Sequence, residues 1–167
     1  MAVAALDPFR GYAIALSSQL PQALRVLDAF HVVKLGNDAV DEVRRRVQQD
    51  TLGHRGRRDD PLYEVRRLLR RGVETLAARQ ISKLDGALAA GDPDGEVAMA
   101  WQCAQQLRAV YHAPTAHEGR RRGRRVLDSF PSCPIPEVAR LGQTLRSWRV
   151  EFLAYHDTRG DKPALHH

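Results

Sequence analysis

Between Ala29 and Tyr155, several stretches repeat apolar residues at every third or fourth position, a spacing that a helix turns into one buried face and a strand does not. Val32, Leu35, Ala39, Val43 and Val47 trace the first such stripe, with Arg44, Arg45 and Gln48 lying off it. One long helix from about Ala29 to Gln49 follows, with Gly36 as a point of irregularity. Gly53 and Gly56 mark Thr51 to Asp60 as a loop. Asp60-Pro61 then opens the next helix, aspartate as cap and proline at the first helical position. Its buried face is Leu62, Val65 and Leu69, extending to Val73, and Gly72 weakens or ends it.

A helix from about Leu76 to Ala89 turns Ile81, Leu84 and Leu88 inward, and Gly91-Asp-Pro-Asp-Gly is a turn. Glu96 to His112 carries the stripe Val97, Trp101, Ala104, Leu107 or Arg108, and Tyr111, stopped by Pro114. His117 to Ser129 is a basic helix interrupted by Gly119 and Gly123. Phe130 to Pro136 is an extended connector, because residues before proline avoid the α region. Val138, Leu141, Leu145, Trp148 and Phe152 then predict one long helix from Glu137 to near Tyr155. The aromatic residues Tyr12, Phe30, Trp101 and Trp148 are read as core rather than as stacking groups.

The N-terminal stretch has a different grammar. Val3-Ala4-Ala5-Leu6 ends at Asp7, and Leu24-Arg25-Val26-Leu27 ends at Asp28. Short apolar runs bounded by turn formers suit strands. Gly11 to Gln19 has room for two helical turns before Pro21, so the stretch reads β-α-β with a carboxylate at the end of each strand, where open α/β sheets place ligands. Asp7 beside Pro8 is either a cap or turn residue or a cation ligand. Asp28 and His31, three residues apart, share one helical turn: Asp28 can cap the long helix, orient the histidine, or do both.

The charge is uneven. The net formal charge is +6, and the segment from Arg44 to Arg71 alone holds ten arginines against four acids. Arg120, Arg121, Arg122, Arg124 and Arg125 form a second run. The guanidinium fork matches phosphate oxygens, so Arg44, Arg45, Arg66, Arg67, Arg70 and Arg71, with the second run, are candidate DNA contacts. The competing reading is a solvated helix face in a chain with 23 arginines and three lysines. Cys103 and Cys133 lack metal-ligand spacing, and a zinc site is not expected. No apolar run is long enough to span a bilayer, so a soluble, cytoplasmic protein without membrane contact is expected. No glycine-rich phosphate loop, nucleophile elbow, metalloprotease helix or dinucleotide fingerprint is present.

The strand-end aspartate, the leucine-proline pair and Asp28-Ala-Phe-His31 followed by Val-Val-Lys resemble the ISL-three family of bacterial insertion-sequence transposases. The resemblance continues through Asp41-Glu-Val-Arg-Arg-Arg, Trp101-Gln-Cys-Ala-Gln-Gln-Leu and Phe130-Pro-Ser-Cys-Pro-Ile-Pro-Glu to about Tyr155. It implies a ribonuclease-H-like core with an Asp-Asp-Glu site that works with Mg2+ or Mn2+. It matches Asp7 to the second catalytic aspartate and metal ligand, and Asp28 and His31 to an Asp-x-x-His pair. The first aspartate would precede Met1 and the glutamate would follow Tyr155, where the sequence departs from the family.

The expected fold is therefore mainly α, with a short β-α-β remnant of that core ahead of a multi-helix domain. Residues 1–34 would be the partial core, 35–155 the helical region and 156–167 a divergent, disordered tail. The implied function is that of a transposase fragment, inactive alone and holding no metal tightly, with DNA or an intact transposase protomer as partner. The alternative is a non-catalytic helical module that binds DNA or protein.

Overall fold

The computed structural model describes the backbone of residues 3–6 and 24–159. Among them are seven α-helices: α1 Ala29–Leu52, α2 Pro61–Glu64, α3 Ala78–Gly91, α4 Glu96–Tyr111, α5 Ala116–Ser129, α6 Pro136–Ser147 and α7 Arg149–Arg159. Single 3-10 turns at Leu68–Arg70, Val73–Thr75 and Phe130–Ser132 complete the path.

The body is built on α1. Val32, Ala39, Val40, Val43 and Val47 are buried along it, and it packs against α4, α6 and the Leu68–Arg70 turn. Gly36 lies at the closest approach of α1 and α4: a Cβ there would stand 3.2 Å from Leu107 and 3.8 Å from Ala104. The expected irregularity is thus a packing device within a continuous helix. Gly53 closes α1 in the left-handed conformation, donating its N–H to Gln49 O at 3.0 Å. At the other chain turn, buried Asp92 accepts from Val97 N and Ala98 N at 3.0 and 2.9 Å, satisfying two of the orphan donors at the start of α4.

Several sequence expectations are corrected. The ribonuclease-H-like β-α-β remnant is overturned as a description of the fold. The described residues form a helical body, and Val3–Leu6 and Leu24–Leu27 pair in parallel only with each other. Two four-residue strands do not make an independent sheet; Leu24–Leu27 lies instead against α7, with Leu27 wholly buried. The Gly11–Gln19 helix, with Tyr12, lies outside the described residues.

The helix expected after Pro61 is one turn of α followed by a 3-10 turn. Leu62, Val65 and Leu69 are buried as the stripe requires, but Val73 is exposed. Asp60 does not cap it by side chain; its carboxylate accepts from Arg57 N at 2.6 Å. The long C-terminal helix is broken at Trp148, where the N–H turns back to Leu145 O. The break lets two stripes of one sequence pattern face different neighbours: α6 lies on α1 and the Phe130 turn, α7 on the second strand and α5.

Gly119 and Gly123 do not interrupt α5. They line its buried face, where His156 packs on Gly119 and Leu153 and Phe152 on Gly123. His156, the first residue of the expected tail, is buried within α7. Phe30 is not core: it is 75% exposed. Trp101 and Trp148 are half-buried against the core.

Candidate nucleic-acid interface

Asp28 serves two functions at the junction of the second strand and α1. One carboxylate oxygen accepts from Phe30 N at 2.9 Å, capping the helix, and the other lies 3.0 Å from His31 Nδ1. A carboxylate only accepts, so Nδ1 donates to it, and the imidazole orientation is set by the aspartate. The Phe30 ring meets the His31 ring edge-on, with centroids 6.0 Å apart at 86°. Behind this pair lies a buried aromatic layer. Tyr111 contacts Tyr155 edge-on at 4.9 Å and stacks on His156 at 6.4 Å. Burial first, then Tyr155 and the Asp28 charge, push the Tyr111 phenol well above its ordinary range. Its hydroxyl has no hydrogen-bond partner among the described residues.

Asp7, the resemblance's catalytic aspartate, lies outside the described residues. Among the described residues no three His, Cys, Asp or Glu side chains come together to hold a metal. Asp28 and His31 are two donors, already engaged with each other. Glu137 is committed elsewhere: its carboxylate accepts from Arg46 Nε at 2.7 Å and Nη2 at 3.1 Å. The described residues, which do not include Asp7, therefore offer no three-donor set for the divalent metal that the resemblance implies.

The candidate arginines divide by environment. Arg44 is 4% exposed and is not available to DNA. It donates to Asp41 at 2.8 Å and Gln48 at 2.5 Å and lies over the Tyr63 ring. Its neighbour Arg45 is exposed and pairs with the other oxygen of Asp41. Burial would raise the Asp41 carboxyl, but hydrogen bonds from Arg44 and Arg45 hold it below the ordinary value. Arg66 stacks over Tyr63 at 3.8 Å and donates to Tyr63 O. Arg70 bridges to Asp38 on α1 at 2.6 Å, and Arg71 donates to Thr75 O at 2.5 Å. Arg67 is exposed.

The second run sits on α5, started by Thr115, whose hydroxyl accepts from Glu118 N at 3.1 Å. Arg121 and then Arg122 bind the Glu118 carboxylate and hold its pKa at about 2. Arg122 also reaches Ala109 O on α4, and Arg120 pairs with Asp157 on α7. Arg124 and Arg125 are exposed and enter none of the ion pairs among the described residues. With Arg121 they stand at i, i+3 and i+4, one helical face.

Sequence reasoning missed a cleft of about 350 Å³ between α1 and α6, where Arg45, Arg46, Arg55 and Arg140 face Glu42, Asp50 and Glu137. Its charges nearly cancel, which no local pattern announces, because the two walls lie far apart in the sequence.

Among the described residues the helical body thus carries an arginine face on α5 and a capped Asp-His pair at its strand-to-helix junction. The family model described as transposase, of the DDE-type ISL3 group, matches residues 1–162, and the chain belongs to that family. Neither a curated protein nor a solved structure matches it. The family implies DNA as substrate, with divalent metal in the chemistry of its members. No helix among the described residues is long and apolar enough to cross a membrane.

Proposed function

We propose that this chain is the DNA-holding helical body of an ISL3-type transposase, and that alone it binds duplex DNA without cutting it. The observation that carries the reading is the α5 face, where Arg121, Arg124 and Arg125 point outward in a chain of transposase descent. Arg124 and Arg125 have no carboxylate partner among the described residues to give up before meeting a phosphate, so their contacts cost little beyond side-chain ordering. Arg67 and Arg45 extend the basic surface elsewhere, while Arg44, Arg66 and Arg70 hold the α1 to α2 region together.

Cutting is a separate matter. In-line phosphoryl transfer needs charge neutralised at both the attacking and the leaving oxygen. Asp28, spent on Phe30 N and His31, and Glu137, spent on Arg46, do not offer a site for the cations that would do so. The test is a salt titration of binding to unrelated duplexes, paired with a nicking assay in magnesium or manganese on a duplex carrying terminal inverted repeats. Affinity falling steeply with salt, without strand cleavage, is expected. Salt-independent binding overturns the DNA reading. Specific nicking that disappears in Asp7→Ala overturns the non-cutting reading.

A further inference from the structure

Among the described residues the other aromatic side chains are buried or half-buried, whereas Phe30 is exposed. Ala29 and Val32 on the same turn are buried, so the first turn of α1 is anchored in the core while the Phe30 ring projects from it at 75% exposure. The backbone beneath the ring is fixed by the hydrogen bond from Phe30 N to Asp28. An edge contact with His31 covers only part of the ring. A rigidly presented aromatic with two torsions loses little entropy on binding.

We infer that Phe30 is a stacking surface for an unpaired nucleobase of a DNA strand running past the Asp28–His31 pair. The inference rests on the DNA-binding reading above.

The surroundings select this occupant. Protein docking favours a contiguous apolar patch, but the helix neighbours of Phe30 are His31, Lys34 and half-buried Val33. The side chains of His31 and Lys34 are about half exposed. A nucleotide would meet one exposed ring for its base and, on the same turn of α1, the His31 imidazole held by Asp28 and the Lys34 ammonium paired with Asp38 at 2.9 Å, donors that its phosphate would draw from those carboxylates. Stacking on an aromatic ring is sequence-tolerant, because every base has a π-face. In an intact duplex those faces are already covered by neighbouring base pairs, so Phe30 discriminates single strands, or ends with unstacked bases, from blunt duplex.

The experiment uses the full chain and two probes: a short single-stranded oligonucleotide containing 2-aminopurine, and a blunt duplex of the same length. Wild type is expected to quench the 2-aminopurine on binding. Phe30→Ala is expected to weaken single-strand affinity about tenfold and leave duplex affinity within about twofold, whereas Phe30→Trp keeps both the quench and the affinity. Because the ring is exposed, the circular dichroism and urea midpoint of Phe30→Ala should match wild type, which separates a loss of stacking from a loss of folding. Equal single-strand affinity of Phe30→Ala and wild type overturns the inference while leaving the DNA reading intact. Failure of wild type to bind either probe at low salt overturns both. A change in sedimentation of Phe30→Ala with unchanged DNA affinity assigns the ring to contact between copies of the chain and also overturns it.

Discussion

Arg46 Nε donates to Glu137 Oε2 at 2.7 Å, joining residues 91 positions apart. The same guanidinium reaches Glu96 at 3.0 Å, so one side chain on α1 ties down the first turns of both α4 and α6. Each carboxylate sits near a helix N-terminus, where the macrodipole also favours negative charge. Removing the charge by Glu137→Gln is expected to cost about 1.5–3 kcal/mol, the scale of a hydrogen bond to a charged group, read from urea denaturation.

The pH dependence follows from the same pair. Burial would raise the Glu137 carboxyl, but Arg46 outweighs it and holds the pKa below the ordinary 4.5. Asp38 and Asp41 are likewise held below 3.8 against the burial that would raise them, by Arg70 and Lys34 and by Arg44 and Arg45 respectively. A folded pKa below the unfolded one contributes stability that is complete above the unfolded value and is lost as pH falls through the folded value. The urea midpoint should therefore hold between pH 7 and about pH 5.5 and fall below that, more shallowly in Glu137→Gln. An equal acid slope in both proteins would remove Glu137 as a contributor.

Two glycines separate close packing from open helix. At Gly119 a Cβ would overlap the His156 ring, while at Gly86 on α3 nothing lies within 4 Å. Alanine is the better helix former by about 1 kcal/mol, so Gly86→Ala should stabilise by up to that amount. Gly119→Ala forces α5 and α7 apart, and overpacking of about 1–3 kcal/mol should exceed the propensity gain. Gly142→Ala should cost at least as much, since its Cβ would stand 2.5 Å from the backbone nitrogen of Pro131, which cannot rotate away. Thermal melts of the three variants check the order.

These glycines also mark how far the sequence could be read. The stripes on α1, α4 and α6 were legible because Val43, Leu107 and Leu141 repeat with helical period whatever they pack against. The role of Gly119 was not, because a glycine that ends a helix and one that admits a neighbour look alike until His156 is placed on it. The break at Trp148 was hidden for the same reason: no glycine or proline marks it, and only the two packing directions of α6 and α7 require it. Asp28 and His31 were brought together by their spacing, whereas burial of Arg44 depends on Gln48, Tyr63 and Arg55 closing over it, two of them from outside its own helix.

The arginines offer a direct comparison between holding the fold and holding DNA. Arg44→Ala strands the buried amide oxygen of Gln48 and weakens the Asp41 clamp, at a cost on the order of 3 kcal/mol, yet should leave the salt slope of duplex binding unchanged. Arg124→Ala and Arg125→Ala should each leave stability within about 0.5 kcal/mol. For every phosphate that a variant no longer neutralises, the slope of log affinity against log salt becomes shallower by about 0.9. Equal slopes for wild type and the Arg124/Arg125 double variant would place the DNA surface elsewhere.

Asp28 and His31 can be dissected because asparagine keeps one of the aspartate's two functions. Asp28→Ala removes the cap and should cost about 0.5–2 kcal/mol, whereas Asp28→Asn still offers an oxygen to Phe30 N and should cost little. His31→Ala should also be mild, since an ion pair with both partners more than a third exposed contributes under about 1 kcal/mol. With stability matched, Asp28→Asn and His31→Ala then report on single-strand DNA affinity alone. If the aspartate acts by fixing the imidazole, both variants abolish the same interaction, because a histidine that is not held does not meet the phosphate and a carboxylate without the histidine has nothing to orient. The expected result is a strongly non-additive cycle: both single variants weaken single-strand binding by a similar factor, and the double variant is no weaker than either. Additive effects would mean that the two residues touch DNA independently, and unchanged affinity in His31→Ala would leave Asp28 as a helix cap.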